Sequence, residues 1–459
     1  MEELVFKTAR ELLMLIKMGD LSSREVLAAH LRQIERTNPE VNAIVELAVD
    51  RAAAQADDAD RRFAGGDELG PLHGLPIAHK DLFDTAGIRT TRGSPIFADH
   101  VPTTDSPVVS TLRRAGAITI GKTNTSEFGI GSQTFNPVFG ATRNPYWPLL
   151  TSGGSSGGAA AALACGMIPI ADGTDLGGSL RNPAAFCNVV GLRPTPDAAT
   201  RSEGPSWDRL DVVGPMARTV GDVALLLEVM TGGERPAAPR VPDGGGDGPS
   251  IAWSESLGGL PVEPAVIEVI RSSRETLEGL GCRLEEATPD LENADRVFRL
   301  LRARLLAATL GGYVREHPDL VKETVRWNVQ IGERLGAHEI EEAVELQAGL
   351  VRRMEEFFLR FDALVCPVTQ VAPFAVEVEY PEEIDGQRLS TYIDWMQSCY
   401  LISATGCPAL SMPAGFTPEG MPVGIQIVAG PGKERTIVDL AERFEGATEY
   451  WRRAPALAV

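Results

Sequence analysis

The sequence predicts an α/β protein: a single large α/β/α domain with a mixed central sheet flanked by helices, plus a helical insertion. Three observations predict it. Short apolar runs of strand length alternate with helical periodicity through the first half of the chain. Helical pattern, rich in Arg and Glu, then takes over from 292 to 360, and strand-like runs return after it. The 459 residues, 43% of them apolar, suffice for one core of that size.

Residues 1–64 read as helices. Leu21–Thr37 opens on the cap-like pair Ser22 and Ser23, and Val26, Leu27, Leu31 and Ile34 recur at helical spacing. Ala53–Phe63 reads as a further, exposed helix and Gly65–Leu72 as a loop. Leu75–His79 is a short apolar strand that delivers Lys80 at its end, a usual station for a catalytic group in an α/β sheet. Gly116–Thr123, G-A-I-T-I-G-K-T, matches a phosphate-binding loop letter for letter. The match is rejected, because that loop must lie between its two glycines. Here Ser110–Ala115 reads as helix and Ala117–Ile120 as the strand itself, with Lys122 and Glu127 in the loop that follows. Residues 151–191 read as loop, helix, turn, loop. The helix falls in the apolar run Ala159–Ile170, which Gly166 and Pro169 would end. Asp211–Pro215 is a candidate strand and Thr219–Met230 a helix. Residues 234–249 form a flexible linker by their Gly and Pro content. Ile251–Trp253 restarts a strand, Pro264–Leu280 a helix, and Ala363–Pro367 is a buried strand. Ser398–Pro413 and Val423–Val428 read as the last strands and Glu434–Phe444 as the last helix.

The densest chemistry lies in 151–191. Ser155 and Ser179 stand on glycine-rich loops at its two ends, and glycine lets backbone approach a ligand closely. Two such loops, each with a hydroxyl, can form one pocket. The run D-L-G-G-S, Asp175–Ser179, can turn successive backbone N–H groups inward as an anion-binding nest.

The motifs G-G-S-S-G-G at 153–158, G-T-D-L-G-G-S-L-R-N-P-A-A-F-C at 173–187 and V-G-L-R-P-T at 190–195 closely resemble the amidase signature family. The likeness runs from about Gly74 to Thr231 and returns near the C-terminus. It implies one amidase domain over 1–459: N-terminal helices at 1–64, a signature core at 65–233, the linker at 234–249, and an insertion at 292–360 that covers the pocket. It also implies hydrolysis of a carboxylic amide, linear or cyclic, to acid and amine or ammonia through an acyl-enzyme. Such chemistry needs an activated nucleophile, an oxyanion site and an acid for the leaving amine. On this reading Ser179 is the nucleophile, Ser155 the bridging serine after a cis peptide, and Lys80 the base. The N–H groups of Leu176, Gly177, Gly178 and Ser179 are the oxyanion donors. To act near neutrality, Lys80 must lose about 3 units from its ordinary pKa of roughly 10.4. Ser156 is either a plain turn residue or a support for the lysine. Asp175 and Arg181 are expected as a buried ion pair that fixes the nucleophile loop, and Cys187 as core.

Other assignments are weaker. A triad of His79 with Asp81 or Asp84 is set aside, because neighbours on a strand point to opposite faces. Substrate contacts at Asn182 stay open. Trp207, Trp327, Trp395 and Tyr400 are candidates for an aryl or acyl pocket, and Trp395 is preferred because Tyr392–Gly406 resembles the part of related amidases near that pocket. The alternatives are the A subunit of a tRNA-dependent amidotransferase and an esterase-like acyl hydrolase. Residues 199–211 lack that subunit's typical run, and S-L-R-N-P-A-A-F is more like stand-alone bacterial amidases, including those acting on nylon oligomers. Filled catalytic positions argue against a dead binding protein.

A net charge of −20 argues against nucleic acid or an anionic membrane as obligatory partner. The six cysteines show no C-x-x-C spacing and no paired His, so no zinc site and no cofactor is expected. Apolar surroundings make Cys165, Cys187, Cys366 and Cys407 buried thiols, in keeping with a reduced cytoplasm. The acidic, amphipathic N-terminus is no signal peptide, and no run of 18 apolar residues exists. The expected partner is a small-molecule amide, with homodimerisation left open.

Overall fold

The computed structural model describes residues 2–196, 210–233 and 248–459. The chain opens with α1 (Glu2–Val5), α2 (Ala9–Met18) and α3 (Ser23–Val41). Capping boxes start the latter two, Thr8 with Glu11 and Ser22 with Glu25. A strand the periodicity did not suggest, β1 (Ile44–Leu47), precedes α4 (Val49–Gly65). Then come β2 (Pro76–Lys80), α5 (Pro107–Arg114), β3 (Ile118–Thr123) and a small hairpin of β4 (Phe135–Asn136) and β5 (Gly140–Ala141). The signature region supplies α6 (Gly157–Ala164), β6 (Ile170–Asp175), α7 (Arg181–Phe186) and β7 (Val190–Arg193). After it follow β8 (Val212–Ala217), α8 (Val220–Met230), β9 (Ser250–Trp253), α9 (Pro264–Gly279) and β10 (Arg283–Glu286). The helical segment is α10 (Ala294–Glu316), α11 (Glu323–Arg334) and α12 (Ala337–Phe357). The chain ends with β11 (Ala363–Pro367), a hairpin of β12 (Glu383–Ile384) and β13 (Gln387–Arg388), α13 (Gln397–Thr405), β14 (Ala409–Phe416), β15 (Pro422–Val428) and α14 (Glu434–Thr448).

Eleven strands form one sheet in the order β1-β3-β2-β6-β8-β7-β14-β15-β11-β9-β10. It is mixed, as expected. β2 runs parallel to β3 and β6, and β9 runs parallel to β10 and β11; the other pairings are antiparallel. The helices α10–α12 bury Phe298, Leu301, Leu310, Val325 and Leu350 in one apolar cluster with Trp395, Met396 and Tyr400.

Three readings are corrected. Ile170–Asp175 is a central strand, not a loop: A-D-G-T-D has little strand propensity, but pairing with β2 on one side and β8 on the other overrides it. Gln397–Thr405 is a helix, not a strand; Gly406, at φ 71°, ends it in the left-handed conformation that glycine adopts freely. Lys122 lies within β3 rather than in the loop after it. Its buried Nζ donates to Thr85 Oγ1 at 2.9 Å and to the Phe83 carbonyl, so the phosphate-loop match is a strand that runs through Gly121 and Lys122. The linker 234–249 falls almost entirely outside the described residues, as does Trp207.

Candidate active site

Parallel pairing of β2 and β6 brings their carboxyl ends to one edge of the sheet, which places Lys80 beside the start of the nucleophile loop. The register pairs Ala78 with Ala171. One step on, His79 Nδ1 meets Asp172 Oδ2 at 2.5 Å while His79 Nε2 lies 3.1 Å from Thr119 Oγ1. His79 is therefore a buried, fully engaged residue on the face away from Lys80, as strand alternation requires. Asp172 also accepts the Lys80 backbone N–H at 2.8 Å, which pins the strand end that carries the lysine.

Lys80 is wholly buried, and its Nζ lies 2.7 Å from Ser155 Oγ, 2.8 Å from Ser156 Oγ and 2.9 Å from Thr174 Oγ1. A neutral amine offers two N–H donors and one lone pair. Three hydroxyls can satisfy it when one of them donates, so the arrangement suits a base as well as an ammonium. Burial pushes the Lys80 pKa down from 10.5 to about 7, against the opposing pull of Asp211, Asp175 and Asp172.

The serines are held by backbone that has no room for side chains. The Gly154–Ser155 peptide is cis. Ser156 precedes α6, whose residues G-G-A-A-A-A-L-A are all buried. A Cβ on Gly158 would fall 2.3 Å from Asn124 N, and one on Gly173 would fall 2.7 Å from Ser156 Oγ. Ser132 Oγ donates to the Gly154 carbonyl at 2.7 Å and accepts from Asn182 Nδ2 at 2.6 Å, while Asn182 Oδ1 takes the Cys399 thiol at 3.1 Å. Asn182 thus links the two serine loops from beneath. A direct tie runs from Ser156 N–H to the Ser179 carbonyl, at 3.2 Å.

Asp175 organises the nucleophile loop. Its carboxylate accepts from Arg181 Nε and Nη2 at 3.0 and 2.9 Å, and from the backbone N–H of Gly178 and Leu180 at 2.8 and 3.1 Å. Arg193 adds a guanidinium at 3.5 Å. Burial alone would raise the Asp175 pKa, but Arg181 and Arg193 bring it to about 2, so it is a permanent anion. Arg181 is also bound to Ser403 Oγ, Gln426 Oε1 and the Cys399 carbonyl. The ion pair expected from the sequence is present and is a three-residue cluster. One assignment changes with it: the Gly178 N–H, read as an oxyanion donor, is already given to Asp175. The N–H groups of Leu176, Gly177 and Ser179 have no acceptor among the described residues. Ser179 is half-buried and its hydroxyl has no hydrogen-bond partner among them.

The aromatic assignments fare differently. Trp395 is 1% exposed, stacked on Phe186 at 6.1 Å and edge-on to Phe374 at 5.3 Å. Buried against these two rings, it packs as core and offers almost no accessible surface to a ligand. Tyr400 stacks on Phe298 at 4.3 Å and donates to Asp295 at 2.6 Å, whereas Trp327 is 37% exposed beside Tyr392. All six cysteines are buried and free.

A family model described as Amidase matches residues 25–438. The chain belongs to the amidase signature family. It is 35% identical over 493 residues to the glutamyl-tRNA(Gln) amidotransferase A subunit of Moorella thermoacetica, with 100% of both chains covered. To an acylamidase of Rhodococcus erythropolis it is 33% identical over 478 residues, covering 99% of this chain and 98% of the other. Among solved structures it superposes on a bacterial aryl acylamidase of the amidase signature family with a TM-score of 0.89, 28% identity, and 99% and 98% coverage. On 6-aminohexanoate cyclic dimer hydrolase the TM-score is 0.86, at 25% identity and 99% coverage of each. The amidase fold, an α/β domain around a large mixed sheet, is therefore the fold read from the sequence. Thr174 and Ser132, which join this hydrogen-bonded cluster, are not among the residues the sequence singled out. The signal for Thr174 was its place in G-T-D, one residue before Asp175. Among the described residues no helix is long and apolar enough to cross a membrane, and no group of three or more His, Cys, Asp or Glu could hold a metal ion.

Proposed function

We propose that this chain hydrolyses a carboxamide to acid and amine through an acyl-enzyme on Ser179. The observation that carries the reading is the buried amine of Lys80, hydrogen-bonded to Ser155 and Ser156, whose backbone is tied to the Ser179 loop. Ser179 Oγ attacks the carbonyl carbon. Its proton passes to Ser155 as Ser155 gives its own to Lys80. The oxyanion settles on the N–H groups of Leu176, Gly177 and Ser179, a preorganised nest fixed from behind by Asp175. The C–N bond then breaks, Ser155 protonates the leaving nitrogen, and Lys80 returns the proton to Ser155. Water repeats the sequence and frees the acid. The helices α10–α12, in this reading, roof the pocket: Phe298 closes on Gly177, where a Cβ would fall 2.7 Å from its ring.

We read the chain as a stand-alone acylamidase. The full-length likeness to the Rhodococcus erythropolis acylamidase and to the aryl acylamidase structure supports this. A second reading, one component of a glutamyl-tRNA(Gln) amidotransferase, is favoured by the 35% identity to such a component over the whole chain. A serine-directed phosphonate tests the chemistry: peptide mapping should place the adduct on Ser179, and an adduct on Ser155 alone would reverse the roles. Turnover of a simple acyl amide by the purified chain separates the two readings. Failure on such amides, with ammonia release from glutamine only alongside partner chains and misacylated tRNA, would establish the second.

A further inference from the structure

A cavity of about 350 Å³ opens beside Lys80, and none of the residues named for catalysis lines it except Thr174, which holds the lysine amine. Its walls are Leu82, Phe128, Leu310 and Tyr313, with Phe128 stacked on Tyr313 at 6.0 Å. The cavity adjoins the bridging serine. The vacant Cβ position of Gly129, next to Phe128 in the chain, lies 3.0 Å from Leu82 Cδ1 and 3.5 Å from Ser155 Oγ. Three charged side chains line the cavity. Asp84 and Arg92 neutralise each other at 3.3 Å. Asp211 accepts the Val212 backbone N–H but no side-chain donor among the described residues. The buried Ser106 hydroxyl, on the same wall, also has no partner among them. A chamber with aromatic and aliphatic walls and one carboxylate that no side chain hydrogen-bonds among the described residues suits a ligand with an apolar or aromatic body and a basic tip.

Resting on the acyl-enzyme reading above, we propose that this cavity receives the amine side of the scissile amide, and that Asp211 selects leaving amines that carry a second, positively charged amino group. The side is set by Ser155, which must face the leaving nitrogen to protonate it. On this proposal the substituent on a nitrogen in reach of Ser155 enters the chamber past Leu82, which lines it and whose Cδ1 lies with Ser155 Oγ around the vacant Gly129 Cβ position. Burial raises the Asp211 carboxyl to about 6, with Lys80 and Arg193 opposing, so it is an anion at neutral pH that a bound ammonium would hold charged.

The test is a matched pair of anilides of one acid, 4-(aminomethyl)anilide against 4-ethylanilide, which differ by an ammonium in place of a methyl group. Wild type should show kcat/KM about tenfold or more higher for the cationic leaving group, because a buried carboxylate left unpaired discriminates strongly. The ratio should collapse towards one in Asp211→Asn and fall in Thr309→Lys, which places a competing ammonium on the α10 wall. The same ammonium moved to the acyl side should bring no comparable gain. Equal turnover of both anilides by wild type, or a preference retained in Asp211→Asn, would overturn the inference while leaving the hydrolase reading intact. No turnover of any anilide or simple amide would instead remove the reading on which it rests.

Discussion

The ionisation of Lys80 is open to a quantitative test. Moving its pKa from 10.5 to about 7 corresponds to about 5 kcal/mol against the ammonium, at roughly 1.36 kcal/mol per unit. For activity, a base with a pKa of about 7 is half free at pH 7, with about a tenth free at pH 6. The kcat/KM for an amide should therefore rise with pH through a midpoint at about 7 and level about one unit above it. Lys80→Ala should lower amide turnover by about a thousandfold or more and ester turnover by less, because an alkoxide leaves without protonation more readily than an amine anion. Asp211→Asn guards the assignment: the Asp211 carboxylate favours the ammonium, so its removal should move the limb to lower pH without abolishing it. The same displacement acts on stability. Between pH 7 and 10.5 the unfolded chain binds a proton at this lysine that the folded chain does not, so the penalty is full below 7 and gone above 10.5. Lys80→Met removes that penalty and loses three hydrogen bonds worth about 1 kcal/mol each. The variant should unfold at a higher temperature than wild type at pH 6.5, with an advantage of about 2 kcal/mol that vanishes at about pH 8.5 and becomes a deficit of about 3 kcal/mol by pH 10.5. Matched pH profiles and thermal melts decide both. Equal losses for amide and ester, with the acidic limb unchanged in Lys80→Ala, would mean that Lys80 only holds the site together.

Two further outcomes are expected. Asp175→Asn removes the buried counter-charge of Arg181 and should cost about 3–5 kcal/mol, read as a drop in melting temperature together with slower phosphonate labelling of Ser179. In wild type the contribution of this carboxylate is present above its unfolded pKa of 3.8 and is lost as pH falls from there through about 2, so the difference between the two proteins should narrow only in that window. Gly173→Ala places a methyl 2.7 Å from both Ser156 Oγ and Leu180 Cδ2; kcat for an amide should fall at least about tenfold while circular dichroism reports an intact fold.

Much of this site was legible because glycine spacing is a backbone requirement written directly in the sequence. The two glycine-rich loops singled out Ser155 and Ser179, and the resemblance to the amidase signature family, more than the apolar strand before it, singled out Lys80. Residues whose roles depend on tertiary neighbours were hidden. Thr174 lies in a strand made of poor strand formers and became visible only once β2 and β8 flanked it. Ser132 and Asn182 are 50 positions apart, and no local pattern announces a hydrogen bond between them. The Gly178 N–H was misassigned because a nest of donors looks the same in sequence whether it faces a ligand or a buried carboxylate. Trp395 failed for a similar reason: tryptophan is as much at home in a core as in a pocket, and only its packing on Phe186 and Phe374 decides. The α13 segment S-C-Y-L-I-S-A-T has strand composition and a helical fate, fixed by burial along its whole length.

The buried α6 bears on how this protein can change. Its eight residues are glycine, alanine and a single leucine, every one buried; a Cβ at Gly157 would meet the Thr134 and Ser152 hydroxyls and one at Gly158 the backbone of Asn124. A saturation library should therefore split sharply. Positions 153–164 would tolerate almost nothing, whereas the cavity-facing positions Thr309, Leu310 and Tyr313 of α10 belong to a different element and are not tied to the serine loops. Adaptation to a new substrate would then proceed by revising α10 over an unvarying floor, and the two can diverge at independent rates.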